Sequence, residues 1–213
     1  MFLKTFIYTL SILLFSFIET YKPKIYSIQT VPLLHHVVTS SVSNYMLYNN
    51  SNFIVNIFDY KQEDLEPMVL YFPIFTCAYG LYDLYGGIYL NKRLDFLLHG
   101  IFFSMTGLIF MYYENFHWLY PGMLLETSSI FLLFNHLPYN IIKYSFATSF
   151  LIYRNIIFPY ISIIFIKNKY ILLFEPYHYQ EKGLLFFLMC FNCLNFFWGY
   201  KIMKKLIRHI KNE

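Results

Sequence analysis

The sequence predicts an all-α fold, a polytopic bundle of about seven transmembrane helices. Three observations lead there. Of the 213 residues, 58% are hydrophobic and 13% charged. A soluble domain has nowhere to hide so much apolar surface, since even the largest exposed apolar patch of an ordinary monomer covers only several hundred Å². The apolar residues run continuously instead of alternating, which argues against a transmembrane barrel. Finally, the runs are about 17–24 residues long, the length a helix needs to cross a bilayer.

The first run covers residues 2–18, with Lys4 ahead of the apolar stretch Phe6–Phe17. It has the form of a signal peptide as well as of a retained helix. Cleavage would leave the basic C-terminus on the lumenal side, against the charge rule, so a retained helix is the reading adopted here. The second run, 30–48, is diluted by His35, His36 and several Ser and Thr residues. Adjacent residues point about 100° apart on a helix, so the two histidines are not expected to hold one metal ion and read as interfacial or packing residues. Runs three to seven cover 68–90, 94–112, 118–135, 144–166 and 183–203. Tyr112-Tyr113 and His117-Trp118 fall where an aromatic belt would border the lumenal surface. Cys77, Cys190 and Cys193 all lie inside runs and are expected to be buried and inert. The Cys190-x-x-Cys193 spacing has no second ligand pair beside it. No linker, internal repeat or low-complexity tract divides the chain.

Loop charges set the expected orientation. Lys22, Lys24, Lys92, Arg93, Lys143, Lys201, Lys204, Lys205, Arg208 and Lys211 fall on one side of the membrane. Lys4, Lys61, Lys167, Lys169 and Lys182 fall on the other. The richer side is read as cytosolic, which places the N-terminus in the lumen and the C-terminus in the cytosol. The acidic loop 49–67 is then lumenal, and Asn49-Asn50-Ser51 is a glycosylation sequon on the permitted side. The tail from Lys201 to Lys211 carries basic residues on several faces; it fixes topology and has the charge to attract anionic lipid.

The last five runs each hold a strongly polar residue: Asp83, His99, Glu126, Arg154 and Asn195. An ionisable group in hydrocarbon is costly unless paired or wetted, so these groups are expected to face a protein interior or cavity. All five fall between roughly 7 and 15 Å below the cytosolic surface, using the helical rise of about 1.5 Å per residue. They also share faces with small residues: Gly80 with Asp83, Gly122 with Glu126 and Ser129, Asn192 and Gly199 with Asn195, Thr106 with His99. Such faces let helices approach closely. The expectation is one chamber lined by these five residues, with interhelical hydrogen bonding as the competing reading. Glu126 and Arg154 lie at matched depth and could form a buried pair. Alternatively, Arg154 binds a lipid phosphate, which its planar fork suits.

These residues sit in a familiar order of motifs. Tyr82-Asp83-Leu84, Asp95-Phe96-Leu97-Leu98-His99, Leu125-Glu126-Thr127-Ser128-Ser129-Ile130-Phe131, Phe150-Leu151-Ile152-Tyr153-Arg154 and Leu194-Asn195-Phe196-Phe197-Trp198 follow one another along the chain. Together they resemble the TLC (TRAM–LAG1–CLN8) domain family. The resemblance implies an N-terminal helix and loop over 1–24, a TLC domain over 25–210 and a cytosolic end at 211–213. The ceramide synthases of that family carry paired histidines and then a His-Asp…Asp pattern. Here the first reads His99-Gly100 and the second Glu126-Thr127-Ser128-Ser129, so the chain looks like the non-synthase branch.

That branch implies work in membrane lipid homeostasis, lipid sensing or traffic from the endoplasmic reticulum, with a membrane lipid as partner and no cofactor. The alternatives are an acyl-CoA-dependent sphingoid-base N-acyltransferase using His99 as general base, and a cargo receptor of the endoplasmic reticulum. His99 is the one catalytic candidate, and the leaning is towards a non-enzyme. No glycine-rich phosphate loop, H-E-x-x-H or G-x-S-x-G motif is present. The basic residues cluster at membrane borders, which gives no nucleic-acid signal. A homo-oligomer is compatible with the sequence and not required by it.

Overall fold

The computed structural model describes residues 10–15, 30–49, 58, 67–89, 94–113, 116–134, 137–176 and 178–211. Among these the chain is helical throughout, with no strand. The long helices are α1 (Thr30–Asn49), α2 (Pro67–Tyr89) and α3 (Leu94–Tyr113). A 3₁₀ turn (Phe116–Leu119), α4 (Tyr120–Leu124) and α5 (Glu126–Leu133) follow. Then come α6 (Asn140–Phe150), a π-helical segment (Leu151–Ile157), α7 (Phe158–Phe174) and α8 (Tyr179–Lys211). This order matches the apolar runs read from the sequence. The sequon beyond Asn49, most of the acidic loop and most of the first run lie outside the described residues. Two stretches, Asn140–Leu172 and Tyr179–Arg208, are long and apolar enough to cross a membrane.

The chain divides into two compact units, Met1–Thr39 with Tyr60–Met123, and Ser40–Asp59 with Leu124–Glu213. In the first, α2 and α3 run antiparallel at close range, and glycines make this possible. A Cβ built on Gly80 would sit 2.8 Å from the Phe103 Cβ, and one on Gly107 would meet the Cys77 Sγ at 2.5 Å. Gly100 in turn lies against the backbone of Asp83 and Leu84. Small residues at such spacing are what helix pairs in a lipid solvent use, because dispersion and not water exclusion holds them together. An aromatic cluster completes the unit. Phe15, Val31, Ala78 and Tyr79 are buried together, with Ile12, Phe75 and Tyr82 packed around them.

His35 and His36 belong to this cluster. The His35 ring stacks on Tyr79 at 3.8 Å between centroids, and His36 meets Tyr79 edge-on at 5.7 Å. Both are packing residues, as read, but they do not diverge out of reach: their ring nitrogens come within 4.8 Å of each other. His117 and Trp118 correct a second expectation. Both are buried, with Trp118 edge-on to Phe110, and they do not form an exposed belt.

In the second unit α6, the π-helical segment and α7 form one continuous helix antiparallel to α8. Pro159 explains the π-helical segment. It has no N–H for the Asn155 carbonyl and its ring crowds that carbonyl, so the ladder slips by one residue just upstream. The two helices are tied by Asn192 Nδ2 to Ser162 Oγ at 2.8 Å and Asn155 Nδ2 to the Asn195 carbonyl at 3.4 Å. Gly199 lets the Asn155 side chain in, where a Cβ would come within 2.6 Å of its Nδ2. In the first unit, Gly122 has nothing among the described residues within 4 Å of its Cβ position, so it marks no close approach among them. Cys77 is buried, but Cys190 is only half-buried and Cys193 is exposed, which corrects the expectation for this pair. The helical continuation of α8 to Lys211 also gathers Lys201, Lys204, Lys205 and Arg208 into one arc, where the sequence reading spread them over several faces.

Candidate functional site

The second unit builds its polar site on the sequence Glu126-Thr127-Ser128-Ser129, where α5 begins. The chain tightens at Leu125, whose carbonyl accepts the Ser128 N–H at 3.2 Å and the Ser128 hydroxyl at 2.8 Å. That carbonyl also accepts from Arg154 Nη2 at 3.2 Å. Arg154 sits in the middle of the π-helical segment. Its Nε donates to Ser128 Oγ at 2.8 Å and its Nη2 to Ser129 Oγ at 2.9 Å. The guanidinium carbon lies 5.2 Å from the Phe150 ring centroid. Glu126 is 1% exposed and attracts the guanidinium electrostatically. A planar cation held by three oxygens on one neighbouring helix is a rigid fork, which a lysine could not reproduce.

Beside the fork lies a network of uncharged groups. Tyr153 donates its hydroxyl to Asn44 Oδ1 at 2.9 Å. Asn44 Nδ2 donates to Thr127 Oγ1 at 2.9 Å and to the Ser40 carbonyl at 2.8 Å. The Ser40 and Thr127 hydroxyls are themselves 2.9 Å apart. Consecutive residues of the π-helical segment thus serve different neighbours: Tyr153 the second half of α1, Arg154 the start of α5, Asn155 helix α8. π-helical turns recur at functional positions because they redirect side chains in this way.

An open groove of about 370 Å³ runs alongside, lined by Phe131, Tyr144, Ser145, Thr148, Ser149, Ile152 and Tyr153. Its walls offer aromatic and aliphatic contact with a few hydroxyls. The lining includes no imidazole, carboxylate or thiol, so the groove can hold a chain and hydrogen-bond a polar group but supplies no general base of its own.

Of the five residues singled out by the sequence, Glu126, Arg154 and Asn195 lie in this unit. Glu126 attracts the Arg154 guanidinium electrostatically; Asn195, 2% exposed, is reached through Asn155, the neighbour of Arg154. Asp83, 1% exposed, belongs to the first unit, on the part of α2 that Gly100 approaches. His99 is carried by α3 and its side chain lies outside the described residues. Thr106 turns its hydroxyl back to the Phe102 carbonyl of its own helix at 2.7 Å. Sequence reasoning missed Ser40, Asn44 and Tyr153. The signal was present in the Ser and Asn residues at 40, 43 and 44, whose i, i+3, i+4 spacing forms one face of the weakest span.

The family model of the TLC domain (TRAM–LAG1–CLN8) matches residues 26–204. Neither a curated protein nor a solved structure gives a significant match.

Proposed function

The chain belongs to the TLC domain family, and we propose that it is a multi-pass membrane protein that binds a membrane lipid in its second unit. The observation that carries this is the groove over α5, α6 and the π-helical segment. Its volume falls in the range of small-molecule sites, about 300–1,000 Å³. Its lining suits an acyl chain, with hydroxyls of Ser145 and Thr148 beside a polar end. Arg154 and Glu126 are carried by the same elements but do not line the groove. With no general base in the lining, binding is the activity proposed, in the service of lipid homeostasis or lipid sensing.

The proposed setting is the endoplasmic reticulum, as the family resemblance implies, with about seven spans and, on the strength of the loop charges, a lumenal N-terminus and a cytosolic C-terminus. Protease protection of epitope tags in sealed microsomes tests the orientation, and a protected C-terminal tag would reverse it. The groove is tested by identifying lipids that co-purify with the chain. Thr148→Trp with Ile152→Trp, both on exposed groove positions, should lower the amount of bound lipid several-fold while leaving the helix content intact. Unchanged lipid in a folded double variant would refute the groove.

A further inference from the structure

The C-terminal end of α8 outlasts the bilayer. Its 33 residues rise about 50 Å, whereas a hydrocarbon core is about 30 Å thick. The uncharged stretch 183–200 accounts for about 27 Å of that rise. The helix therefore leaves the hydrocarbon near Tyr200 and continues, still helical, to Lys211.

This border is equipped for a headgroup layer. Phe197, Trp198 and Tyr200 are exposed, as aromatic side chains at a membrane–water interface are. Lys201 Nζ lies 4.2 Å from the Phe197 ring centroid and 5.0 Å from that of Trp198, and Lys204 Nζ lies 6.0 Å from that of Tyr200. The ammonium groups are thereby held at the depth of the aromatic rings. Lys201, Lys204, Lys205 and Arg208 are all exposed. Their i, i+3, i+4, i+7 spacing confines them to an arc of about 100° on the helix. Ile202, Met203 and Leu206 occupy the opposite arc and are half-buried. The basic arc is the more exposed side of this stretch. No acidic residue occurs from 183 to 212, so nothing on this stretch neutralises the four cations.

We propose that this arc is a docking surface for anionic phospholipid headgroups. The headgroup layer adds roughly 5–8 Å on each side of the hydrocarbon, and the rise from Lys201 to Lys205 is about 6 Å. These three lysines lie within the layer. Arg208, about 10 Å along the helix from Lys201, is within a Debye length (about 8 Å at physiological salt) of it. Each cation placed at an anionic surface strengthens the attraction roughly fivefold. The proposal does not depend on the groove in the second unit.

The test uses the full chain in liposomes of phosphatidylcholine containing a minority of phosphatidylserine. Energy transfer from the chain's tryptophans to dansyl-phosphatidylserine is compared with transfer to dansyl-phosphatidylcholine. Wild type should favour the anionic probe several-fold at low salt, and the preference should vanish by about 0.5 M NaCl. Replacing Lys201, Lys204, Lys205 and Arg208 together by Gln should equalise the two probes, whereas Lys201→Arg, Lys204→Arg and Lys205→Arg together should keep the preference. Equal transfer in wild type, a preference that ignores salt, or one that survives the Gln replacements would each overturn the proposal. The salt titration of wild type decides by itself if the Gln variant cannot be recovered. Salt-sensitive capture of a soluble polyanion with no lipid preference would overturn it as well.

Discussion

Replacing Arg154 by Met should be among the most damaging single changes in the second unit. The substitution keeps much of the side-chain volume and deletes three hydrogen bonds, to Ser128 Oγ, Ser129 Oγ and the Leu125 carbonyl. Interhelical hydrogen bonds in membrane proteins contribute about 0.6 kcal/mol on average and about 1.7 at most, so three give about 2–5 kcal/mol. Glu126, buried and attracted by the guanidinium, then loses that attraction, and breaking a buried pair costs about 3–5 kcal/mol. The two routes describe overlapping losses, and the expected total is about 3–5 kcal/mol. Arg154→Lys should fall between wild type and Arg154→Met, because an ammonium keeps the attraction to Glu126 but cannot span three acceptors. Glu126→Gln combined with Arg154→Met should cost less than the sum of the two single changes. The assay is reversible unfolding of the purified protein in mixed micelles by SDS, followed by far-UV circular dichroism. A destabilisation by Arg154→Met below about 0.5 kcal/mol, the size of an ordinary surface change, would show that the fork contributes nothing to stability.

Two further outcomes are expected, one from the helix packing and one from the sequence around His99. Gly80→Ala and Gly107→Ala should each destabilise by about 1–3 kcal/mol through overpacking of α2 against α3; Gly183→Ala, with open space at its Cβ position, should stay within about 0.5 kcal/mol of wild type in the same unfolding assay. The chain should not restore growth to cells that lack their own ceramide synthases, and His99→Ala should shift the cellular lipid profile without loss of folded protein. Rescue by wild type that disappears in His99→Ala would replace the binding reading with an acyltransferase one.

Much of this was legible in the sequence because hydrocarbon is a demanding solvent. Backbone groups that water cannot reach must bond within their own segment, so continuous apolar runs of spanning length become helices. The order and approximate limits of α1, α2, α3, α6–α7 and α8 follow from that alone. The cost of burying charge likewise marked Glu126 and Arg154 as a pair of interest before any contact was known. The small-residue rule anticipated Gly80 and Gly199 at close helix contacts.

Tertiary structure decided whatever depended on which neighbour a side chain meets. Periodicity places Tyr153, Arg154 and Asn155 on one span but cannot say that a slipped ladder ahead of Pro159 sends them to α1, α5 and α8. It marked Gly122 as a contact residue, yet no neighbour among the described residues approaches it. Asn44 carried no signal of its own in a weak span, and only its bonds to Tyr153 and Thr127 make it a centre of the polar network. Cys193 looked buried because its run is apolar, but in a lipid solvent an apolar run has no obligatory inner face, so exposure is set by packing and not by composition. The sequence by itself determined the class, the spans and the polar residues that had to be accommodated, since each of these is a local cost against lipid. Partners, the groove and the outward arc on α8 are long-range, because hydrogen-bond geometry and helix rotation exist only once the helices are packed.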